Sequence, residues 1–391
     1  MIFCNFADMR HCLIALFALL LVACHDDVEP AATPLKRVVV VYIMAENSLS
    51  SFASNDLAEI RRRYKAIPDS CRLVVYLDNS QSDQKPTLIS FDPKYGETVF
   101  YKYKVDPIST DSAAMQQVLS TIMQRQPARN YGLVMWSHGS GWIPQQNAVM
   151  KRPQRTIGVD NGENTTSNKG TEMEITTLAN VLKQTGVRWD YVFFDACFMQ
   201  CAEVAYELRD AAAWCIGSPA EIPCDGAPYD VIMPNLFADV DSAWTIARDY
   251  FGYYRYREGL VISAARLSEM EALAEATRPL MAQLDPYPAV DGIQRYNPAN
   301  TERKPEYYDL GSAIAKWHSA DDYALWRQAM EQAVPFRYAT SNWYSYMNGY
   351  GEYPPVIDPD HIACLSTYIP VEGRSLNDYY SQTTWWKRMR E

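Results

Sequence analysis

The chain has 391 residues, 47 acidic against 36 basic, and a formal net charge of −11. Nucleic-acid binding draws on clustered Lys and Arg, so this balance argues against a nucleic-acid partner. A composition of 48% hydrophobic and 13% aromatic residues describes a folded protein with a sizeable core, and past the first residues no apolar run is long enough to cross a bilayer.

At the N-terminus, Arg10 and His11 precede an apolar stretch, residues 12–22, with the length of a signal-peptide core. It ends in Leu21-Val22-Ala23-Cys24, which resembles the bacterial lipobox. That resemblance implies removal of residues 1–23 as a signal peptide and lipidation of Cys24. The acyl chains would anchor the domain to a membrane, each buried methylene contributing about 0.8 kcal/mol. Residues 24–36 read as an acidic, proline-bearing tether with no apolar period. The acids directly after Cys24 resemble surface-export signals of Bacteroidetes lipoproteins; the expected location is the cell envelope, at the outer membrane, with surface exposure as one of the two faces left open.

The chain then alternates between two periodicities. Residues 38–44 are β-branched and continuously apolar, a buried strand. Ser54 reads as the N-cap of a helix carrying Leu57, Ile60 and Tyr64. A second buried strand spans 73–77, and 87–91 with 98–103 form a small antiparallel excursion. Asp111 opens a helix with Met115, Val118, Leu119 and Ile122, and 131–136 is the third buried strand. Residues 144–170 are polar, basic and Gly-rich, a loop in this reading. A helix at 175–184, a strand at 191–194, a helix through Val204 and Leu208, and strands at 214–217 and 260–263 follow. From 267 onward the character changes: helical periods at 267–284 and 321–334, Tyr- and Pro-rich connections, and a late strand at 364–369. Apolar strands alternating with helices indicate an α/β fold, a mostly parallel sheet with helices on both faces, followed by a mixed C-terminal region. The expected organisation is a catalytic domain at 37–265 with a helical and strand extension, 266–391, packed on it.

Ligands of open α/β sheets bind outside the carboxyl ends of the strands. The third buried strand runs into Ser137-His138-Gly139-Ser140-Gly141-Trp142, and the next into Asp195-Ala196-Cys197-Phe198-Met199. A histidine and a cysteine at neighbouring strand tips can face one crevice. A helix beginning directly after Cys197 would lower its thiol pKa through the helix dipole. His138 would then move protons between the thiol and a leaving amine. The backbone N–H groups of Gly139 and Cys197 would form an oxyanion hole, because glycines at 139 and 141 allow a substrate carbonyl to approach. A zinc site from Cys197, Cys201, Cys215 and Cys224 lacks the CxxC spacing of structural sites. A lipase-like serine hydrolase lacks the GxSxG elbow. Cys201 reads as a buried helix residue, and no metal site is identifiable. Of the six cysteines left after residue 24, five would remain if Cys197 stays free, so not all can pair within the chain.

The His-Gly and Asp-Ala-Cys segments, with Glu221-Ile222-Pro223-Cys224-Asp225-Gly226 and the opening Met44-Ala45-Glu46-Asn47, resemble the clostripain family of cysteine peptidases, of the caspase–gingipain–legumain clan. The resemblance covers roughly 37–265. It implies a caspase- and gingipain-like fold, a Cys197–His138 dyad, and cleavage of protein or peptide substrates after Arg or Lys. Asp195 and Asp225 would then line the specificity pocket, since a carboxylate suits a guanidinium through charge-assisted hydrogen bonds. Cys224 stands where relatives usually carry glycine. The resemblance leaves no organic cofactor to expect and allows calcium dependence. Self-cleavage would fall at Lys151, Arg152 or Arg155, basic residues of a mobile loop. The alternative from another class is a surface lipoprotein that kept the peptidase fold as a binding module without activity.

Overall fold

In strand β1 (Leu35–Ala45), Val38, Val40, Tyr42 and Met44 enter one apolar cluster while Val39, Val41, Ile43 and Ala45 enter another. A strand apolar on both sides must be covered on both sides, and this puts β1 at the centre of the sheet. The computed structural model describes residues 34–80, 85–144, 155–162, 165–168, 170–297, 306–343, 345, 355–356 and 358–391. Cys24, Lys151 and Arg152 lie outside the described residues, as does the side chain of Arg155.

β1 pairs in parallel with β2 (Cys71–Asn79) and β5 (Ala128–Trp136), β5 with β9 (Trp189–Asp195), and β9 with β10 (Ala212–Gly217). Antiparallel strands finish both edges: β3 (Thr87–Asp92) and β4 (Gly96–Lys102) beyond β2, β11 (Val261–Arg266) and β13 (Phe336–Ala339) beyond β10. Among the described residues the order is β13-β11-β10-β9-β5-β1-β2-β3-β4. Helices α1 (Ser50–Arg63) and α5 (Thr245–Tyr254) cover one face with Ala53, Leu57, Ile60, Ile246 and Tyr250. The other face takes α2 (Ser112–Arg125), α3 (Ile175–Gln184), α4 (Ala202–Glu207), α6 (Met270–Met281), α7 (Leu310–Trp317) and α8 (Ala320–Ala333). The expected mostly parallel α/β sheet is present. Leu35–Glu391 forms one compact unit, in which β13 brings the C-terminal region into the main sheet.

Four local expectations are corrected. β1 takes up Leu35 and Lys36, assigned above to the tether, because Leu35 N–H already donates to Pro127 O at 2.8 Å. Helix α1 starts at Ser50 rather than after Ser54. Leu49 is its N-cap, and Asn47 orders the turn before it: its Oδ1 accepts from Leu49 N–H at 2.9 Å and its carbonyl from Ser50 N–H at 3.2 Å. The segment read as a loop, 144–170, carries β7 (Arg155–Asp160), which joins β6 (Gly139–Pro144) before it and β8 (Thr171–Met173) after it in a three-stranded sheet. Non-local pairing builds it, so no periodicity announced it. The late strand shrinks to β14 (Ser366–Thr367), paired with β12 (Tyr308–Asp309), since Cys364 adopts a positive φ of 48° that breaks an extended run.

Candidate active site

β5 and β9 are hydrogen-bonded neighbours, with Trp136 level with Asp195, so the segments leaving their carboxyl ends are side by side. Ser137 fixes the first of these. Its hydroxyl donates to Met44 O at 2.7 Å and accepts from Val159 N–H at 3.3 Å, tying β5 to β1 and β7. The His138 carbonyl accepts from Gly158 N–H at 3.0 Å, so the backbone is held while the ring faces the cleft. Ring atom Nε2 lies 3.0 Å from Ser48 Oγ, and Asn168 Nδ2 donates to that hydroxyl at 3.0 Å. Burial lowers the imidazole pKa below its usual value, only partly offset by the Asn168 amide.

Cys197 sits in a turn, not at a helix start. Phe198 has a φ of 61° and its N–H donates to Ala220 O at 2.9 Å; Gln200 N–H donates to Ser218 O at 3.0 Å. The positive φ is held in place by the Phe198 ring stacked on Tyr307, centroids 4.4 Å apart. Helix α4 begins only at Ala202, with Cys201 as its buried capping residue, so the expected dipole effect on Cys197 does not apply. The thiol is partly exposed to the cleft, yet the protein packed around it disfavours charge and pushes it up to about 12. A single Ile222 N–H, 3.5 Å from Sγ, works in the other direction. Burial thus favours the uncharged forms of both the Cys197 thiol and the His138 imidazole over charged ones.

Gly139 lets the two segments meet. A Cβ there would lie 2.6 Å from the Cys197 carbonyl oxygen, an approach only glycine permits. His138 and Cys197 line one cleft of about 140 Å³, walled also by Leu49, Trp136, Ile222 and Pro223 and bordered by Cys224. Asp195 reaches this cleft from below. Its carboxylate accepts from Ala227 N–H at 2.9 Å and from Tyr229 Oη–H at 3.2 Å, and it is 3% exposed. Beside it is Asp56 of α1, 2% exposed, which accepts from Trp136 Nε1–H at 2.6 Å. A Cβ on Gly226 would lie 3.1 Å from one Asp195 oxygen and 3.3 Å from one of Asp56, so both carboxylates converge under one glycine. Burial raises the pKa of both; for Asp56 the Asp195 charge adds to it.

The clostripain family model matches residues 41–389. The chain belongs to the clostripain family. It is 24% identical over 230 residues to clostripain of Hathewaya histolytica, spanning 42% of that protein, less than half the length of the curated relative. Among solved structures it is similar to a secreted C11 cysteine protease from Bacteroides thetaiotaomicron, in complex with an irreversible peptide inhibitor. The identity is 34% and the TM-score 0.78, covering 90% of this chain and 98% of that one. It is likewise similar to an inactive zymogen C11 protease from Parabacteroides distasonis, with 28% identity and a TM-score of 0.78 over 91% and 99%.

Among the residues singled out in the sequence of this clostripain-family chain, His138, Gly139, Cys197 and Asp195 meet at the cleft. Asp225 does not: it is exposed on the loop, and Gly226 rather than its own side chain faces the pocket. Two residues escaped sequence reasoning. Asp56 had a signal, since it occupies the apolar face of α1 between Ala53 and Leu57, where a charge needs a reason. Ser48 had none, being one polar residue in a polar stretch.

Proposed function

We propose that the protein is a cysteine endopeptidase that cleaves after Arg or Lys, with Cys197 as nucleophile and His138 as proton carrier. The observation that carries this reading is the cleft lined by His138, Cys197 and the buried Asp195, with Asp56 beside Asp195 under Gly226. A basic side chain entering the cleft lowers its charge toward the two carboxylates, which carry a shared negative charge with no cation among their hydrogen-bond partners. That places the scissile carbonyl over Cys197. The Sγ proton passes to His138 as the S–C bond forms, so thiolate arises only at the moment of attack. The Gly139 and Cys197 N–H groups receive the oxyanion. His138 gives the proton to the leaving amine as the C–N bond breaks; water, deprotonated by His138, then attacks the thioester, the S–C bond breaks, and His138 returns that proton to Sγ. Ser48 holds Nε2 and leaves Nδ1 for these transfers. The complex of the Bacteroides thetaiotaomicron protein with an irreversible peptide inhibitor supports a peptide-binding cleft here.

The test is a panel of fluorogenic peptides differing only in the residue before the cut, run on wild type and Cys197→Ala. Cleavage after Arg and Lys by wild type alone is expected; equal cleavage after Leu would remove the specificity assignment, and an active Cys197→Ala the nucleophile. The reading extends to the termini and loop. Residues 1–23 act as signal, Cys24 carries lipid, 24–36 tether a peptidase domain at 37–265 with its extension at 266–391, and the product is an envelope lipoprotein. Release of the protein into the soluble fraction by Cys24→Ala checks the anchor. Fragments beginning after Lys151, Arg152 or Arg155 in wild type, absent from Cys197→Ala, check self-cleavage.

A further inference from the structure

The histidine is held by more than the residue it touches. His138 Nε2 rests against Ser48 Oγ, and Ser48 stands exposed on the loop between β1 and α1, where a serine by itself could turn. Asn168 stops that turning. Its Oδ1 accepts from Ser48 N–H at 3.0 Å, and its Nδ2 donates to Ser48 Oγ at 3.0 Å. The chemistry fixes both directions: a backbone N–H can only donate, so Oδ1 must face it, and Nδ2 is left for the hydroxyl. One amide thereby grips the backbone and the side chain of the same residue. Two further asparagines tie the same two loops together. Asn161 Nδ2 donates to Glu46 O at 3.0 Å and to Ser167 O at 3.2 Å. Asn47 Nδ2 donates to Val159 O at 2.8 Å and to Met44 O at 2.9 Å. Residues 46–48 and the stretch from the end of β7 to Asn168 thus form one hydrogen-bonded latch beside His138, whose carbonyl is itself held by Gly158 of β7.

We propose that Asn168 is a positioning residue of the peptidase reaction, locking Ser48 so that Ser48 holds the His138 ring toward Cys197. The proposal rests on the Cys197–His138 reading above and deepens it. Both proton transfers need the imidazole within hydrogen-bond reach, first of Sγ and then of the leaving amine. A misplacement of about 1 Å can cost on the order of a hundredfold in rate, so whatever fixes the ring is felt in turnover. A hydroxyl that rotates fixes little; a hydroxyl gripped at two points sets an angle as well as a distance. Asn168 acts through Ser48 and takes no part in bond making. Ser48 and Asn168 are 120 residues apart, and the fold alone brings them together. The Asn168 amide also works against the burial that lowers the imidazole pKa, so the latch bears on the protonation of the ring as well as its aim. The titratable groups that share the cleft with His138 are Cys197, Cys224, Asp195 and Glu221, and a substitution at 168 alters none of them.

The experiment compares the full chain with Asn168→Ala, Asn168→Asp and Ser48→Ala, substitutions at exposed positions, on one Arg peptide. Asn168→Ala should lower kcat about fivefold, with KM within about twofold of wild type. The double variant Asn168→Ala/Ser48→Ala should stay within about twofold of Ser48→Ala alone, because the amide acts through that serine. Asn168→Asp keeps an acceptor for Ser48 N–H and should retain most of kcat. The His138 titration is followed by NMR in the Cys197→Ala background. It should move down in Asn168→Ala, where the amide no longer opposes burial, and up in Asn168→Asp, where a carboxylate stands near the imidazolium. The acid limb of kcat/KM should shift in the same directions, since the neutral ring is the base. The titration needs no turnover, so it tests the latch even where the peptidase assignment fails. Losses that multiply to about fiftyfold in the double variant, a defect carried by KM, or a His138 titration unmoved in both variants would overturn the proposal.

Discussion

Two buried acid groups at the carboxyl edge of the sheet are alike in burial and unlike in company. Under the cleft, Asp195 and Asp56 are each met by donors: a backbone N–H and a tyrosine hydroxyl for one, an indole N–H for the other. At the end of β2, Asp78, grouped with Glu46 and Asp106, has none. Donors stabilise a carboxylate while leaving it its charge, which is what the proposed recognition of a basic side chain requires. A buried carboxylate without donors is driven toward its protonated form. Burial alone therefore does not make the two groups equivalent; their hydrogen-bond partners set them apart.

The largest effect expected from separating the two is on Asp195. Asp195→Asn removes a charge-assisted contact in a desolvated pocket, on the order of 2–5 kcal/mol, and kcat/KM for Arg peptides should fall at least tenfold with little change for any residual cleavage after Leu. Asp78→Asn, whatever its effect on overall rate, should leave the Arg-to-Leu ratio within about twofold, being outside the pocket. A collapse of that ratio in Asp78→Asn would erase the division between the groups.

Acid–base behaviour gives the next effect. Burial raises the Asp195 pKa well above the ordinary carboxylate range, so the group is protonated below that raised value and charged above it. Attraction for a guanidinium is present above this value and lost as pH falls through it, and Arg selectivity should follow that course. Asp56→Asn, which mimics the protonated partner, should leave Arg kcat/KM within about threefold and this pH course in place. A selectivity flat in pH across neutrality would break the pair's role.

Ser48→Ala lies between the groups. It should reduce kcat on the order of tenfold with KM nearly unchanged, through a less well aimed His138, and Ser48→Thr should restore most of it. Asp225→Ala should have the smallest effect, within about threefold, because an exposed carboxylate is screened by water. A loss as large as that of Asp195→Asn would move the recognition site outward to the loop.

The alternation of apolar strands and helices was enough to fix the layered α/β class, because a strand such as 38–44, apolar at every position, has no stable place except between two covering layers. The tips holding His138 and Cys197 were legible for the same reason: strands announce where they end, and parallel strands end together. Tertiary structure alone decided the rest. The three-stranded sheet at β6, β7 and β8 depends on pairing between distant polar segments, and Cys197 lost its expected helix because Phe198 turns the chain against Ala220 and Tyr307. Asp56 under the cleft, and Glu46, Asp78 and Asp106 around one point, come from separate elements. Periodicity encodes which face of an element is buried; it holds no information about which buried faces meet, and the charges of this protein act only where they meet.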